Sequence, residues 1–191
     1  MMKILILTGS PRKNGNTDIL TAAVTKRLQN KKVMVQQQRL ADMDIHPCLG
    51  CGGCEKEGNC IINDDMQTLY PRIINADRIL IASPIYFYGL TAQTKACIDR
   101  CQALWSRKYL LKQQISPNKG RKGYLASVAA TRGERVFEGA RLCARYVFDA
   151  MDVSYAGDLF YPGVDAKGAI SRHPDFTKKL DTFIQMLLLE E

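Results

Sequence analysis

The chain has 191 residues, of which 46% are hydrophobic and 24% charged, and its formal net charge at pH 7 is +8. A chain of this length supports one hydrophobic core without requiring a second, and no apolar run approaches the roughly 20 residues of a membrane-spanning helix. The basic residues are spread along the sequence without an aromatic-interleaved stripe, which favours small anionic ligands over nucleic acid. We therefore expect a single domain, 1–191, with no membrane or nucleic-acid partner.

The first residues, MMKILILTGSPRKN, lack the long apolar stretch and the cleavage site of a secretory signal. The expected location is therefore the cytoplasm, where thiols stay reduced. In that setting the seven cysteines indicate metal binding, redox chemistry or burial rather than a disulfide framework.

Strand-like and helix-like segments alternate along the chain. In order, beginning with a strand, we expect them at 3–8, 17–30, 32–39, 64–75, 78–82, 90–107, 122–129, 134–151, 153–159 and 176–189. The second strand is the most polar and is expected at a sheet edge. Asp64 and Asp65 are expected to cap the second helix, and Pro71 to kink or restart it.

This alternation predicts an α/β fold with a parallel sheet. Five strands and about five helices, joined by right-handed crossovers, fit a three-layer, doubly wound sheet with the flavodoxin-like order 2-1-3-4-5. In such sheets ligands bind at the carboxyl ends of the strands, near the switch point between strands one and three. The loops after these two strands are therefore the first candidates for a binding site.

The loop after the first strand, GSPRKNGNT, ends where a helix begins. Backbone N–H groups at a helix N-terminus, hydroxyls and an arginine together form an anion site, although an ordinary turn also favours these residue types. The loop matches neither the G-x-G-x-x-G nor the G-x-x-x-x-G-K-[ST] pattern, so dinucleotide and nucleoside-triphosphate chemistry are not indicated. After the third strand, Tyr86, Phe87 and Tyr88 can pack against a flat heterocycle, or belong to a core or an interface.

A cysteine-rich loop at about 46–62 has the spacing C-x2-C-x2-C-x5-C, formed by Cys48, Cys51, Cys54 and Cys60. Short spacings and intervening glycines let four thiolates converge on one [4Fe–4S] cluster. Structural zinc is disfavoured, because its ligands usually form two separated pairs, and a metal-free loop is the remaining alternative. The other three cysteines are expected to be buried small hydrophobes, at Cys97, Cys101 and Cys143.

Several of these segments resemble the NAD(P)H-dependent FMN reductase superfamily, namely TGSPRKNGNT at the first strand and ASPIYFYGLTAQTKACIDR after the third. The cysteine loop followed by NDDM, 63–66, is similar to the iron–sulfur flavoprotein branch of that superfamily. The likeness continues through YPGVDAKGAI, 161–170, and the closing HPDF helix, and so covers essentially the whole chain.

The resemblance implies that FMN is the cofactor and that its phosphate lies against Ser10, Arg12, Asn16 and Thr17. The segment that matches the border of the isoalloxazine is Pro84, Ile85, Tyr86 and Phe87. A third loop near the ring spans 131–134, with Thr131 and Gly133. Tyr88 departs from the family pattern, in which a smaller residue is common, and its bulk is expected to narrow the space above the flavin.

The resulting hypothesis is an FMN-dependent oxidoreductase that links the flavin to a [4Fe–4S] cluster, with no catalytic side chain because the cofactor carries the chemistry. His46 and His173 are assigned no catalytic role. The alternatives are an NAD(P)H-dependent FMN or quinone reductase with a metal-free cysteine loop, a non-catalytic flavodoxin-like electron carrier, and a zinc-stabilised interaction domain. The expected partners are NAD(P)H, a quinone or a ferredoxin-like protein. The resemblance and the aromatic stretch 86–109 predict a homodimer or homotetramer.

Overall fold

The structure is a computed structural model that describes residues 1–189. Its five strands are β1 Met2–Thr8, β2 Val33–Arg39, β3 Arg78–Pro84, β4 Lys122–Ala129 and β5 Ser154–Pro162. They form one all-parallel sheet in the order β2-β1-β3-β4-β5, so the predicted order 2-1-3-4-5 is confirmed. β2 lies at an edge, as its polarity predicts.

The helices are α1 Asn16–Leu28, α2 Cys54–Glu57, α3 Met66–Asn75, α4 Ala92–Arg100, α5 Gln102–Trp105, α6 Glu138–Ala150 and α7 Phe176–Leu188. Short 3-10 turns lie at Leu40–Asp42 and Ala169–Arg172, and a π turn at Ser106–Leu110. No helix within 1–189 is both long and apolar enough to cross a bilayer.

The sheet carries a hydrophobic core on each face, because successive side chains of a strand point to opposite sides. On β1, Ile4 and Ile6 pack with α1 and α7, whereas Leu5 and Leu7 face the helices α3 to α6. β1, β3 and β4 are buried along almost their whole length, as parallel central strands are. Helices on both faces of the sheet give the three layers that the sequence predicts.

The structure corrects the single helix predicted at 90–107. The Thr91 side chain accepts a hydrogen bond from the Thr94 N–H, so α4 begins at Ala92. It ends at Arg100, because the chain tightens at Cys101, whose N–H donates to the Ile98 carbonyl at 2.9 Å. The helix does not restart at Pro71, since α3 runs through it without interruption, and the kink that was the other expectation stays a prediction. Burial of an apolar face that includes Leu69 and Ile73 outweighs the one hydrogen bond that the proline cannot make.

The expected capping and burial are borne out only in part. The Asp64 carboxylate accepts a hydrogen bond from the Met66 N–H at 3.0 Å, whereas the Asp65 carboxylate turns to the Asp44 N–H at 2.8 Å. Cys97 and Cys101 are buried, but Cys143 is half-exposed and lines a surface groove between α4 and α6. The residues of α6 that face the core include Ala140, Ala144 and Val147, and Cys143 lies at the edge of this buried face.

Candidate functional site

Buried hydroxyl groups tie together the carboxyl ends of β1, β3 and β4. The Thr91 hydroxyl donates to the Gly9 carbonyl at 2.6 Å, and the Ser83 hydroxyl accepts from the Thr91 N–H at 3.2 Å. The Ser127 hydroxyl donates to the Ser83 carbonyl at 2.7 Å. Position 9 has no room for a side chain, since a Cβ there would lie 1.7 Å from the Thr94 Oγ1. The start of α4 thereby fixes the point where the chain leaves β1.

A cleft of about 280 Å³ opens beside these strand ends. It brings together the two loops that the sequence singles out, and its lining includes Ser10, Arg12, Gly15, Asn16, Thr17, Pro84, Ile85, Tyr86, Phe87, Val128, Ala130, Val164 and Asp165. Eight of the ten residues that the resemblance assigns to FMN therefore line one cleft. The sequence reasoning did not assign Val128, Val164 and Asp165 to the site, although Val164 and Asp165 lie in the segment 161–170 that shares the family resemblance.

One end of the cleft is built as an anion site. No side chain within 1–189 caps the first N–H groups of α1. Gly15, Asn16 and Thr17 line the cleft, so the positive end of the helix dipole lies at this cleft. Thr17 is buried, and its hydroxyl makes no hydrogen bond within 1–189. Arg12 adds a positive charge, and Arg39 steadies the loop by donating to the Ser10 carbonyl at 2.9 Å. A phosphate group suits this arrangement.

The side chain of Asn16 makes structural hydrogen bonds that its predicted role at the phosphate does not indicate. Its side-chain amide donates to the Ala166 carbonyl at 2.9 Å and accepts from the Ile170 N–H at 3.3 Å. These two bonds hold the loop after β5 against the start of α1. Asn16 therefore shapes the wall of the cleft through its side chain.

The aromatic residues after β3 form a tight turn at the mouth of the cleft. Tyr86 and Gly89 exchange two backbone hydrogen bonds of 3.0 and 2.9 Å, and Phe87 and Tyr88 between them have positive φ angles of 49° and 62°. Two adjacent non-glycine residues in the left-handed region are strained, and such strain is often found at functional sites. Phe87 is fully exposed at the tip of this turn.

The loop 131–134 lies beside the cleft, in contact with this aromatic turn. The Tyr88 hydroxyl rests on Gly133, where a Cβ would lie 2.5 Å from the oxygen. Thr131 is exposed, and its carbonyl accepts from the Gly163 N–H at 3.1 Å. Thr131 and Gly133 stay predictions for the flavin ring, and Tyr88 occupies the space next to them.

The four cysteines of the 46–62 loop line a second cavity, of about 420 Å³. Cys48 and Cys51 are exposed, whereas Cys54 and Cys60 are half-buried. Within 1–189 no three Cys, His, Asp or Glu side chains already stand at the geometry of a metal site. The four thiols thus line the same cavity, but they are not close enough to one another to coordinate a metal ion together.

A buried ion pair closes the base of this loop. The Arg100 guanidinium, at the end of α4, makes a bidentate contact with the Asp64 carboxylate, and both side chains are almost fully buried. Arg100 also donates to the carbonyls of His46 and Ile62, one residue from each end of the loop. Burial by itself would raise the pKa of Asp64, but hydrogen bonds from Arg100, His46 and Met66 outweigh it and lower that pKa.

A second arginine supports the far side of the loop. Arg107 donates to the Gly58 carbonyl at 2.8 Å and bonds the Asn59 side chain. Gly58 has a φ of 71°, and a Cβ there would lie 2.3 Å from the Arg107 Cγ. This position therefore needs glycine on both counts. No sequence pattern announces either arginine as a partner of the loop.

The thiol donors and the cation beside them fit an iron–sulfur cluster better than a hard metal ion. Four thiolates are the usual ligands of a [4Fe–4S] centre, and a cluster with its thiolates is anionic. Arg100 forms part of the cavity wall and supplies one positive charge. The residues present are compatible with the predicted ligand set.

Residues 2–155 match the family described as NADPH-dependent FMN reductase. An iron–sulfur flavoprotein of Methanocaldococcus jannaschii is 37% identical over 103 residues, which are 54% of this chain and 53% of that protein. One of Methanosarcina thermophila is 32% identical over 114 residues, 60% of each. The matched part of this chain thus spans about half to three fifths of these relatives.

Among solved structures, an NAD(P)H:quinone oxidoreductase from Methanothermobacter marburgensis superposes with a TM-score of 0.72. It shares 17% sequence identity, and the alignment covers 100% of this chain and 98% of that one. At this identity the likeness shows a common fold, and it agrees with the flavodoxin-like sheet.

Proposed function

Because the chain belongs to the NADPH-dependent FMN reductase family, we propose that it is an FMN-dependent oxidoreductase whose cysteine loop carries a [4Fe–4S] cluster. The observation that carries the flavin part is the cleft at the ends of β1 and β3. There an uncapped helix N-terminus, the free hydroxyl of Thr17 and the Arg12 side chain border the same cleft. These groups offer a phosphate several hydrogen bonds and positive charge.

The protein's own contribution is to bind and orient the cofactor. FMN, when bound, supplies hydride and single-electron chemistry, so the chain needs no acid or base of its own. The segment 84–87 borders the proposed ring position, and the Ile85 N–H is fixed by the Val128 carbonyl at 2.9 Å. Tyr88, held against Gly133, limits access from one side.

Cys48, Cys51, Cys54 and Cys60 would hold the cluster, which would supply one-electron exchange with an external partner. The helix α4 connects the two sites, with its cap Thr91 at the strand ends and Arg100 at the cysteine cavity. Nine residues of helix span about 13.5 Å at 1.5 Å each. A rigid element of this length keeps the two sites in fixed relation. Iron–sulfur flavoprotein is the name given to the relatives above, which supports this assignment.

The second candidate is an NAD(P)H-dependent FMN or quinone reductase with a metal-free cysteine loop. The observation in its favour is the family description itself, which names NADPH-dependent reduction of FMN. The name of the Methanothermobacter marburgensis neighbour gives the same class of donor and acceptor. Rapid reduction of bound flavin by NADPH in iron-free protein would favour this candidate. For either function we propose a homodimer or homotetramer, which light scattering of the purified protein tests.

The first test is cofactor analysis of protein purified without oxygen, by visible spectrum, flavin extraction and iron and sulfide content. FMN with iron and sulfide supports the full proposal, and FMN alone supports the second candidate. Absence of FMN, together with failure of added FMN to bind, would falsify both.

The second test titrates FMN into flavin-depleted protein. Thr17→Val removes the free hydroxyl and keeps the shape, and a lost hydrogen bond to a charged group weakens binding about tenfold to a hundredfold. Thr25→Val, on the same helix but outside the cleft, is the matched control and leaves the affinity unchanged. Equal affinities for the two variants would remove Thr17 from the phosphate site.

A further inference from the structure

We infer that Arg100 sets the reduction potential of the cluster held by the cysteine loop, by placing the positive end of a buried ion pair in the wall of the cavity. This inference rests on the proposed function and assigns to Arg100 a role that none of the sequence motifs indicates.

The placement of the guanidinium is the first ground for this role. Arg100 lines the four-cysteine cavity, and its side chain is 0% exposed. Its Nε is buried and finds no acceptor among residues 1–189. The Cys60 sulfur is among the groups that interact with the guanidinium. The guanidinium therefore interacts with one of the four cysteines that line the cavity.

The direction of the ion pair is the second ground. Asp64 binds the Arg100 guanidinium and also accepts from the His46 and Met66 N–H groups, so its charge is spread towards the backbone. The cavity is lined by Arg100 and not by Asp64. The positive end of the pair therefore faces the thiols, and the negative end lies behind it.

This orientation has a definite electrostatic consequence. When the cluster accepts one electron from its donor, the cavity gains one negative charge and nothing else changes. A buried positive charge nearby stabilises that reduced form more than the oxidised form, because Coulomb interactions are strong where water is excluded. Arg100 should therefore raise the reduction potential. Two carboxylates also line the cavity, those of Glu55 and Asp99, but both are exposed at least in part, so water screens them and they contribute less.

The test compares reduction potentials of anaerobically purified variants, measured by titration with dithionite and followed by EPR and visible absorbance. Arg100→Gln should lower the potential enough to change the ratio of reduced to oxidised cluster about tenfold, which is ~59 mV for one electron. Asp64→Asn keeps Arg100 and much of its hydrogen bonding but removes the negative partner, so it should raise the potential. Shifts of opposite sign are not produced by mere loosening of the loop.

Arg107→Gln is the matched control, because Arg107 also clamps the loop but does not line the cavity. At a given applied potential, the ratio of reduced to oxidised cluster in Arg107→Gln should stay within twofold of the wild-type ratio. Equal shifts for Arg100→Gln and Arg107→Gln, or no shift for either cavity variant, would overturn the inference. If Arg100→Gln does not fold, Asp64→Asn decides alone, and the absence of a rise overturns it.

Iron and sulfide analysis separates this inference from the proposal beneath it. If wild-type protein binds FMN but contains neither iron nor sulfide, the cluster assignment is wrong, and the proposed role of Arg100 is wrong with it. Wild-type protein with a full cluster but with potentials that do not depend on Arg100 leaves the proposed function intact and overturns this inference alone.

Discussion

At the scale of single residues, the cleft proposed for FMN depends on a contact that leaves no space for a side chain. Gly9 lies directly against the Thr94 side chain, where the first strand gives way to the loop of the anion site. The same Thr94 hydroxyl is 2.9 Å from that of Thr91, so it is held in place. A side chain at position 9 must displace part of the buried hydroxyl network.

We expect Gly9→Ala to lower the free energy of unfolding by about 1–3 kcal/mol, the usual cost of overpacking, and to weaken FMN binding as well. Urea unfolding and FMN titration check this. Gly89→Ala is the control, because the nearest atom to its Cβ is the Tyr86 carbonyl oxygen at 3.6 Å, an ordinary contact. The double variant Gly9→Ala/Thr94→Ala should regain part of the loss. Full stability in Gly9→Ala would show that the strand ends move more freely than the contact implies.

At the scale of elements, α4 and the cysteine loop are joined by one buried ion pair. Removing a single partner of such a pair leaves an uncompensated charge and costs about 3–5 kcal/mol. The pKa of Asp64 lies below its ordinary value, because hydrogen bonds to its carboxylate prevail over burial. The folded state therefore binds this proton less readily than the unfolded chain does.

The sign of the pH dependence follows from this lowered pKa. The stabilisation by ionised Asp64 is complete above the pKa of the unfolded chain, about 4, and is lost as the pH falls through the lower pKa of the folded state. Asp64→Asn should therefore be less stable than wild type at pH 7, and the difference should shrink below about pH 4. Urea unfolding of cluster-free protein between pH 2.5 and 7 measures it. A difference that does not vary with pH would contradict the ion pair.

At the scale of the whole molecule, a single arginine joins elements that are distant in sequence. Arg121 is buried just before β4 and donates to the Ala76 carbonyl at 2.9 Å and to the Met151 carbonyl at 2.6 Å. It also bonds the Ile73 carbonyl. Burial lowers the pKa of this guanidinium, whereas Asp152 and Asp77 oppose that shift. The C-terminal ends of α3 and α6 are thus satisfied by one side chain.

We expect Arg121→Met to destabilise the fold by about 2–4 kcal/mol, because three buried carbonyls lose their donor while the side-chain volume is roughly kept. Thermal and urea unfolding measure the loss. Arg72→Met is the control, since Arg72 lies exposed on α3 and, among residues 1–189, its side chain bonds that of Gln38 alone. Comparable losses in the two variants would argue against a special role for Arg121.

Much of this fold is predictable from the sequence, because its signals are local. β4 has the predicted bounds, 122–129, since an apolar run between polar flanks marks a buried parallel strand. The break after Arg100 was not predictable, because residues 90–107 have helical propensity throughout and the break depends on tertiary contacts.

The candidate site divides in the same way. The two loops that line the cleft are predictable from the sheet topology and from the family resemblance. Ser10 of the first loop and Tyr86 of the second do line the same cleft. The buried Arg100–Asp64 pair does not, since its partners are 36 residues apart and neither residue type signals burial. Cys143 was placed in the core because a stripe pattern cannot resolve which member lies at its margin.

The clamp at the base of the cysteine loop makes that segment separable from the rest of the architecture. Its entry at His46 and its exit at Ile62 meet on the same guanidinium, so the intervening stretch leaves and rejoins the scaffold at nearly one place. A loop whose two ends are held together in this way resembles an Ω-loop, and a change in its length costs little folding free energy. A change in the length of this segment should accordingly leave the five-stranded sheet intact.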